Sequence, residues 1–75
     1  MKVKILKVER LKNSVNGNPR YELCVLNEKE SFIKGKTATD SILGYKIDSN
    51  WEGSTRDLEI RFTKKTGRAV FCKEL

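Results

Sequence analysis

The side chains that most often do chemistry are sparse in this chain. It contains no His, which excludes a Ser-His or Cys-His nucleophile pair, an HExxH zinc site and a Cys2His2 finger. Cys24 and Cys72 are the only thiols, too few for structural zinc and far too separated for a CxxC redox motif. Both lie in strand-like runs, where a free Cys packs as a small hydrophobe. Ser14, Ser31, Ser41, Ser49 and Ser54 have no imidazole to activate them, and a lysine general base needs a desolvated pocket that a small core hardly supplies. The chain is therefore expected to be no enzyme and to need no cofactor.

One segment matches a cation-binding template. Asp48, Asn50, Glu52, Gly53 and Glu59 fall at positions one, three, five, six and twelve of a calcium loop. Against it, Glu52 is longer than the usual Asp or Asn, and Thr55 stands where an apolar residue pairs such loops. Arg56 to Phe62 also reads as strand, whereas a calcium loop leads into helix. A solvated loop with Glu59 beside Arg61 on an outer strand face is the expected reading, and no metal is expected.

Charge is the remaining lead. Sixteen Lys and Arg face ten Asp and Glu, for a net charge of +6. The excess lies mainly on the first strand and the last hairpin. Lys12, Arg20, Lys64, Lys65 and Arg68 sit in or beside turn-forming segments, where cations reach a phosphate backbone, so they are the candidate binding residues. Trp51, the single Trp, joins them as a ring for a base or protein partner, against the alternative of a loop anchor folded over a barrel end. Glu22, Glu28 and Glu30 count against phosphate binding, because the second and third strands would carry them on the presumed ligand face. A charge of this size also serves solubility alone. Stacking on bases needs exposed rings, which Trp51, or else Tyr45 or Phe32, would have to supply. Tyr21, Tyr45, Phe62 and Phe71 are assigned to the core.

These residues must be positioned by short strands. Val3 and Ile5 alternate with Lys2 and Lys4, and the phase then slips by one at Ile5-Leu6 and runs on through Val8, as a β-bulge would produce. Asn13 to Pro19 is dense in turn formers, with Asn16-Gly17 suited to a tight hairpin of two positive-φ residues. Arg20 to Leu26 returns with Tyr21, Leu23 and Val25 on one face. Ser31 to Lys34 makes a short third strand. Lys36 to Ile47 predicts a helix of two to three turns, N-capped by Thr37 or Thr39, with Ala38, Ile42 and Tyr45 on one face. Asp48 to Thr55 is a loop. Arg56 to Thr63 points Leu58, Ile60 and Phe62 inward, and Lys64 to Gly67 turns the chain into a last strand, Arg68 to Lys73. The expected fold is mainly β with a minor α part: one domain over residues 1–75, a small five-stranded antiparallel barrel, OB-like or SH3-like, with one short helix between strands three and four. A domain of 8.6 kDa buries about 62% of its unfolded surface, so its core is small.

Three stretches carry a family resemblance: Leu11 to Tyr21 with its Asn16-Gly17-Asn18-Pro19-Arg20 turn, Thr37 to Ile47 with Asp40, Ser41 and Tyr45 in register, and Glu52-Gly53 before a final hairpin. They resemble a group of small uncharacterised bacteriophage- and prophage-encoded proteins sharing an NGNPR-aromatic hairpin and a T-x-x-D-S-x-x-x-Y-x-I segment. The resemblance spans nearly the whole chain and implies a small accessory protein of an infected or lysogenic bacterium. It brings no binding residues, and Lys7, Trp51, Lys64 and Lys65 lie outside the shared pattern. The partners to expect are a nucleic acid or a bacterial host protein, with no membrane, in the host cytoplasm, as a monomer or weak homodimer. The amino-terminal segment lacks the unbroken apolar core of a secretory signal, in keeping with that location.

Overall fold

In the computed structural model, which describes residues Met1–Leu75, five strands close into one barrel: β1 (Lys2–Arg10), β2 (Tyr21–Asn27), β3 (Phe32–Thr37), β4 (Thr55–Phe62) and β5 (Ala69–Glu74). The order around the barrel is β1, β2, β3, β5, β4 and back to β1. β1 makes this possible by serving two neighbours. Its register with β2 shifts between Ile5 and Lys7, leaving Leu6 as the extra residue, and its first residues, Lys2 to Lys4, pair with Asp57 to Thr55 of β4. The phase slip read at Ile5-Leu6 is this bulge, which bends the strand, while Val3 and Lys4 pair with β2 on one edge and with β4 on the other. Val3 and Ile5, both ahead of the bulge, are buried.

The barrel is mixed rather than antiparallel throughout. Gly35, Lys36 and Thr37 pair in parallel with Ala69, Val70 and Phe71, because β4 lies between β1 and β5 and the chain must cross the barrel end to reach it. A Cβ built on Gly35 would stand 2.2 Å from the Ala69 carbonyl oxygen. Only a residue without a side chain lets the two backbones meet there.

The short helix expected in the crossing segment is reduced to 3-10 turns. There are two, each a single turn, Leu43–Tyr45 and Ser49–Trp51. Ser41 shapes the first locally: its Oγ accepts the Leu43 N–H at 3.0 Å and donates to the Cys72 carbonyl, the competition with helix that Ser side chains offer. A Cβ on Gly44 would lie 2.0 Å from the Pro19 carbonyl oxygen, so this turn rests directly on the β1–β2 loop. Leu43, Ile47 and Trp51 are buried, whereas Tyr45, assigned to the core, is 65% exposed, as is Ile42 at 67%.

The core is Val3, Ile5, Leu23, Val25, Leu43, Ile47, Trp51, Leu58 and Phe71, with Tyr21 and Ile60 half-buried against it. Phe62 departs from its core assignment and is 53% exposed, since it ends β4 beyond the irregularity between Glu59 and Ile60. The turns also differ in detail. In the β1–β2 loop Gly17 has positive φ and Asn16 does not, with Gly17 N–H bonded to the Ser14 carbonyl at 2.9 Å. In the β2–β3 turn Glu30 occupies the left-handed region at φ 60, while Asn27 Oδ1 holds the Lys29 and Ser31 N–H groups at 2.9 Å each. No helix is long and apolar enough to cross a membrane.

Two stability outcomes follow from this geometry. Glu30→Gly removes the Cβ penalty of a left-handed residue and should stabilise by about 0.5–1 kcal/mol after the entropic cost of Gly, measured as a raised urea midpoint. Gly35→Ala should destabilise by about 2–3 kcal/mol, because its neighbour is backbone and cannot move aside as a side chain would.

Candidate nucleic-acid interface

The largest concavity on the surface, about 750 Å³, runs over the seam where β3 meets β5. Its floor is made of small residues, Gly35, Ala38 and Ala69 among them, and its rim of Arg20, Lys34, Lys36 and Arg68, with Glu22 the one acid. The seam explains both. Gly35 and Ala69 are small because the strands approach closely, and Lys34 and Lys36 flank Gly35 on the opposite, outward phase of β3.

Arg20 is held rather than free. Its Nε and Nη2 donate to the Thr37 carbonyl at 3.2 Å each, while the fully buried Thr37 accepts the Tyr21 N–H on its Oγ1 at 3.2 Å. The start of β2 and the end of β3 are thus tied through one threonine. Nη1 of Arg20 has no protein partner, and the Nε and Nη2 bonds to Thr37 fix the guanidinium that carries it. Behind it Arg10 braces the β1–β2 loop, with Nη1 donating to the Leu11 and Arg20 carbonyls at 2.9 and 3.1 Å and Nη2 to Asn13 Oδ1 at 2.6 Å. The Arg10 guanidinium also lies 5.3 Å from the Tyr21 ring centroid. Arg68 reaches the groove from the β4–β5 loop, where its N–H bonds Thr63 Oγ1 at 3.2 Å.

Of the residues singled out by sequence, Arg20 and Arg68 come together on the groove rim. Lys12, Lys64 and Lys65 are exposed on the flanking loops but do not line it. Lys34 and Lys36 were not among them. Their signal lay in the alternation Phe32, Lys34, Lys36, which is hidden when the third strand is ended at Lys34 and Lys36 is given to a helix.

The acidic face also differs from expectation. Glu28 and Glu30 belong to the β2–β3 turn, outside the strands. The acids that remain on the face are Glu22 and its cross-strand neighbour Glu9, and Glu22 lies 3.5 Å from Lys34 Nζ. Around the groove, Glu9 and Glu22 lie on the β1–β2 side, and Lys34, Lys36 and Arg68 on the β3–β5 side.

Trp51 is 1% exposed, so it is a packed anchor rather than a docking ring. Its Nε1 donates to the Lys46 carbonyl at 2.9 Å. Arg56 covers its face, 4.4 Å from the ring centroid, and is itself held by Ser54 Oγ at 3.1 Å and Glu74 Oε2 at 3.2 Å. The residues of the calcium template are occupied separately: Asp48 Oδ1 caps the Asn50 N–H at 2.8 Å, Glu52 Oε2 accepts the Val8 N–H at 2.9 Å, and Glu59 pairs with Arg61 at 3.6 Å. No three His, Cys, Asp or Glu residues gather as a metal site. Cys24 and Cys72 are free and half-buried, and Cys24 faces outward between Lys7 and Lys34 rather than into the core.

No protein-family model, curated protein or solved structure matches the chain.

Trp51→Phe keeps most of the ring but strands the Lys46 carbonyl and weakens the Arg56 contact. A loss of about 1–3 kcal/mol is expected in thermal or urea unfolding, against about 3–5 kcal/mol for Trp51→Ala.

Proposed function

We propose that this protein is a small non-enzymatic nucleic-acid-binding module that holds phosphates in the groove over the β3–β5 seam. The single observation that carries the reading is the Arg20 guanidinium, fixed by Thr37 with Nη1 left unpartnered, sharing one groove with Lys34, Lys36 and Arg68. Four cations, of which Lys34 pairs with the one acid Glu22, leave the groove with a net positive field that the chain's net charge alone would not create. The fold supports the same assignment. Five strands in the order β1, β2, β3, β5, β4, with β1 shared and β3 parallel to β5, favour an OB-like barrel over an SH3-like one. In OB-like barrels the face of strands two and three, flanked by the first and last hairpin loops, is where oligonucleotides bind. The non-enzymatic part rests on chemistry: without imidazole the serines and thiols have no base.

Docking on a bacterial host protein is the competing reading, and burial of Trp51 removes its aromatic anchor. The setting we propose, a phage or prophage accessory protein in the cytoplasm of its host, rests on the resemblance of the Asn16 to Tyr21 and Thr37 to Ile47 segments.

Anisotropy of labelled oligonucleotides tests the reading. Contact with four phosphates gives a log–log salt slope of about −3 to −4, and Arg20→Ala with Arg68→Ala should reduce its magnitude by about 2 while weakening all sequences alike. Absence of binding at about 50 mM salt, where such contacts are strongest, would end this proposal.

A further inference from the structure

The groove offers cations and a floor without rings, which suits a phosphate backbone but does not by itself choose between one strand and two. The face beside it does choose. Phe32 is 74% exposed, lies outside the core, and precedes Lys34 on the same outward phase of β3. Same-phase residues on a strand are about 6.6 Å apart, so Phe32, Lys34 and Lys36 form one line that runs into the groove. Across the sheet Leu26 stands opposite Phe32, and Lys4 opposite Leu26. The ring therefore has an apolar neighbour and a cation beyond it. The next rows hold Lys7, Cys24 and Lys34, then Glu9, Glu22 and Lys36, so the rows around the ring are basic and the acids stand only in the last one. The other exposed rings are placed differently: Tyr45 in the first 3-10 turn, and Phe62 at the end of β4 on the phase of the buried Leu58 rather than in line with the β3 lysines.

Resting on the phosphate-binding reading, we infer that Phe32 is a base-stacking platform and that the ligand of this site is single-stranded. A strand whose phosphates follow Lys34, Lys36, Arg20 and Arg68 brings one base flat onto the Phe32 ring, flanked by Leu26. In a duplex the base faces are already covered by their neighbours, and Phe32 gains nothing from it. One ring accepts any base, since every base has a π face, so the site has little sequence preference.

The test compares a labelled thymidine octamer, an abasic octamer with the same phosphates, and a hairpin duplex, each titrated by anisotropy at low salt. The octamer with bases should bind at least about fivefold tighter than the abasic one, the low end of one stacking contact. Phe32→Ala should bring the two to equal affinity without changing the abasic value, and Phe32→Trp should restore the difference. Phe32 covers none of the core, and an unchanged melting temperature and Trp51 emission check that the variants are folded. Equal binding of the base-bearing and abasic strands by the parent protein, or equal losses on both in Phe32→Ala, would overturn the stacking platform and leave phosphate binding standing. No binding of any of the three would overturn both.

Discussion

Three residue pairs hold β3 to β5, and at the closest of them no side chain fits on position 35. That contact closes the barrel. It brings the end of β3 against the start of β5, draws Thr37 fully inside and sets its carbonyl where Arg20 can grip it. It also keeps the floor of the surface groove shallow and small-sided, so the cations around it define the chemistry of the site. On the far side β1 completes the closure, pairing with β2 on one edge and, through Lys2 to Lys4, with β4 on the other, and the bulge at Leu6 bends it along the barrel wall.

The crossing segment between β3 and β4 plays a mechanical part. Leu43, Ile47 and Trp51 plug the barrel end while Gly44 presses on Pro19, so the β1–β2 loop is supported from beneath and from behind, the latter by Arg10. A loop braced on both sides can present Arg20 in one orientation. The small core thus spends its only Trp on order in the frame, and leaves Phe32 as the one ring on the charged face.

Much of the strand framework was legible in the residues. Alternation in Val3 and Ile5, in Leu23 and Val25, and around Leu58 marked inward phases, and all of these are buried. The slip at Leu6 was visible because a bulge changes the parity of side chains. The connector is tighter than the helix expected of it for a local reason: Thr37 or Thr39 with Asp40 looks like the opening of a helix, yet Ser41 bonds to the backbone and Gly44 packs against the Pro19 carbonyl. Tyr45 and Phe62 were misplaced because apolar type alone does not tell a barrel's interior from its mouth.

Net charge, the absence of imidazole and the positions of the turns follow from the sequence by itself, because composition and local backbone chemistry settle them without reference to the rest of the chain. Which charges share a surface is another matter. Arg20, Lys34, Lys36 and Arg68 come from three separate stretches, and only closure of β3 on β5 places them around one groove while moving Glu28 and Glu30 off it. Tertiary structure decides this because the pairing that gathers them is long-range, and its strength resides in a backbone approach at Gly35 that no local pattern announces.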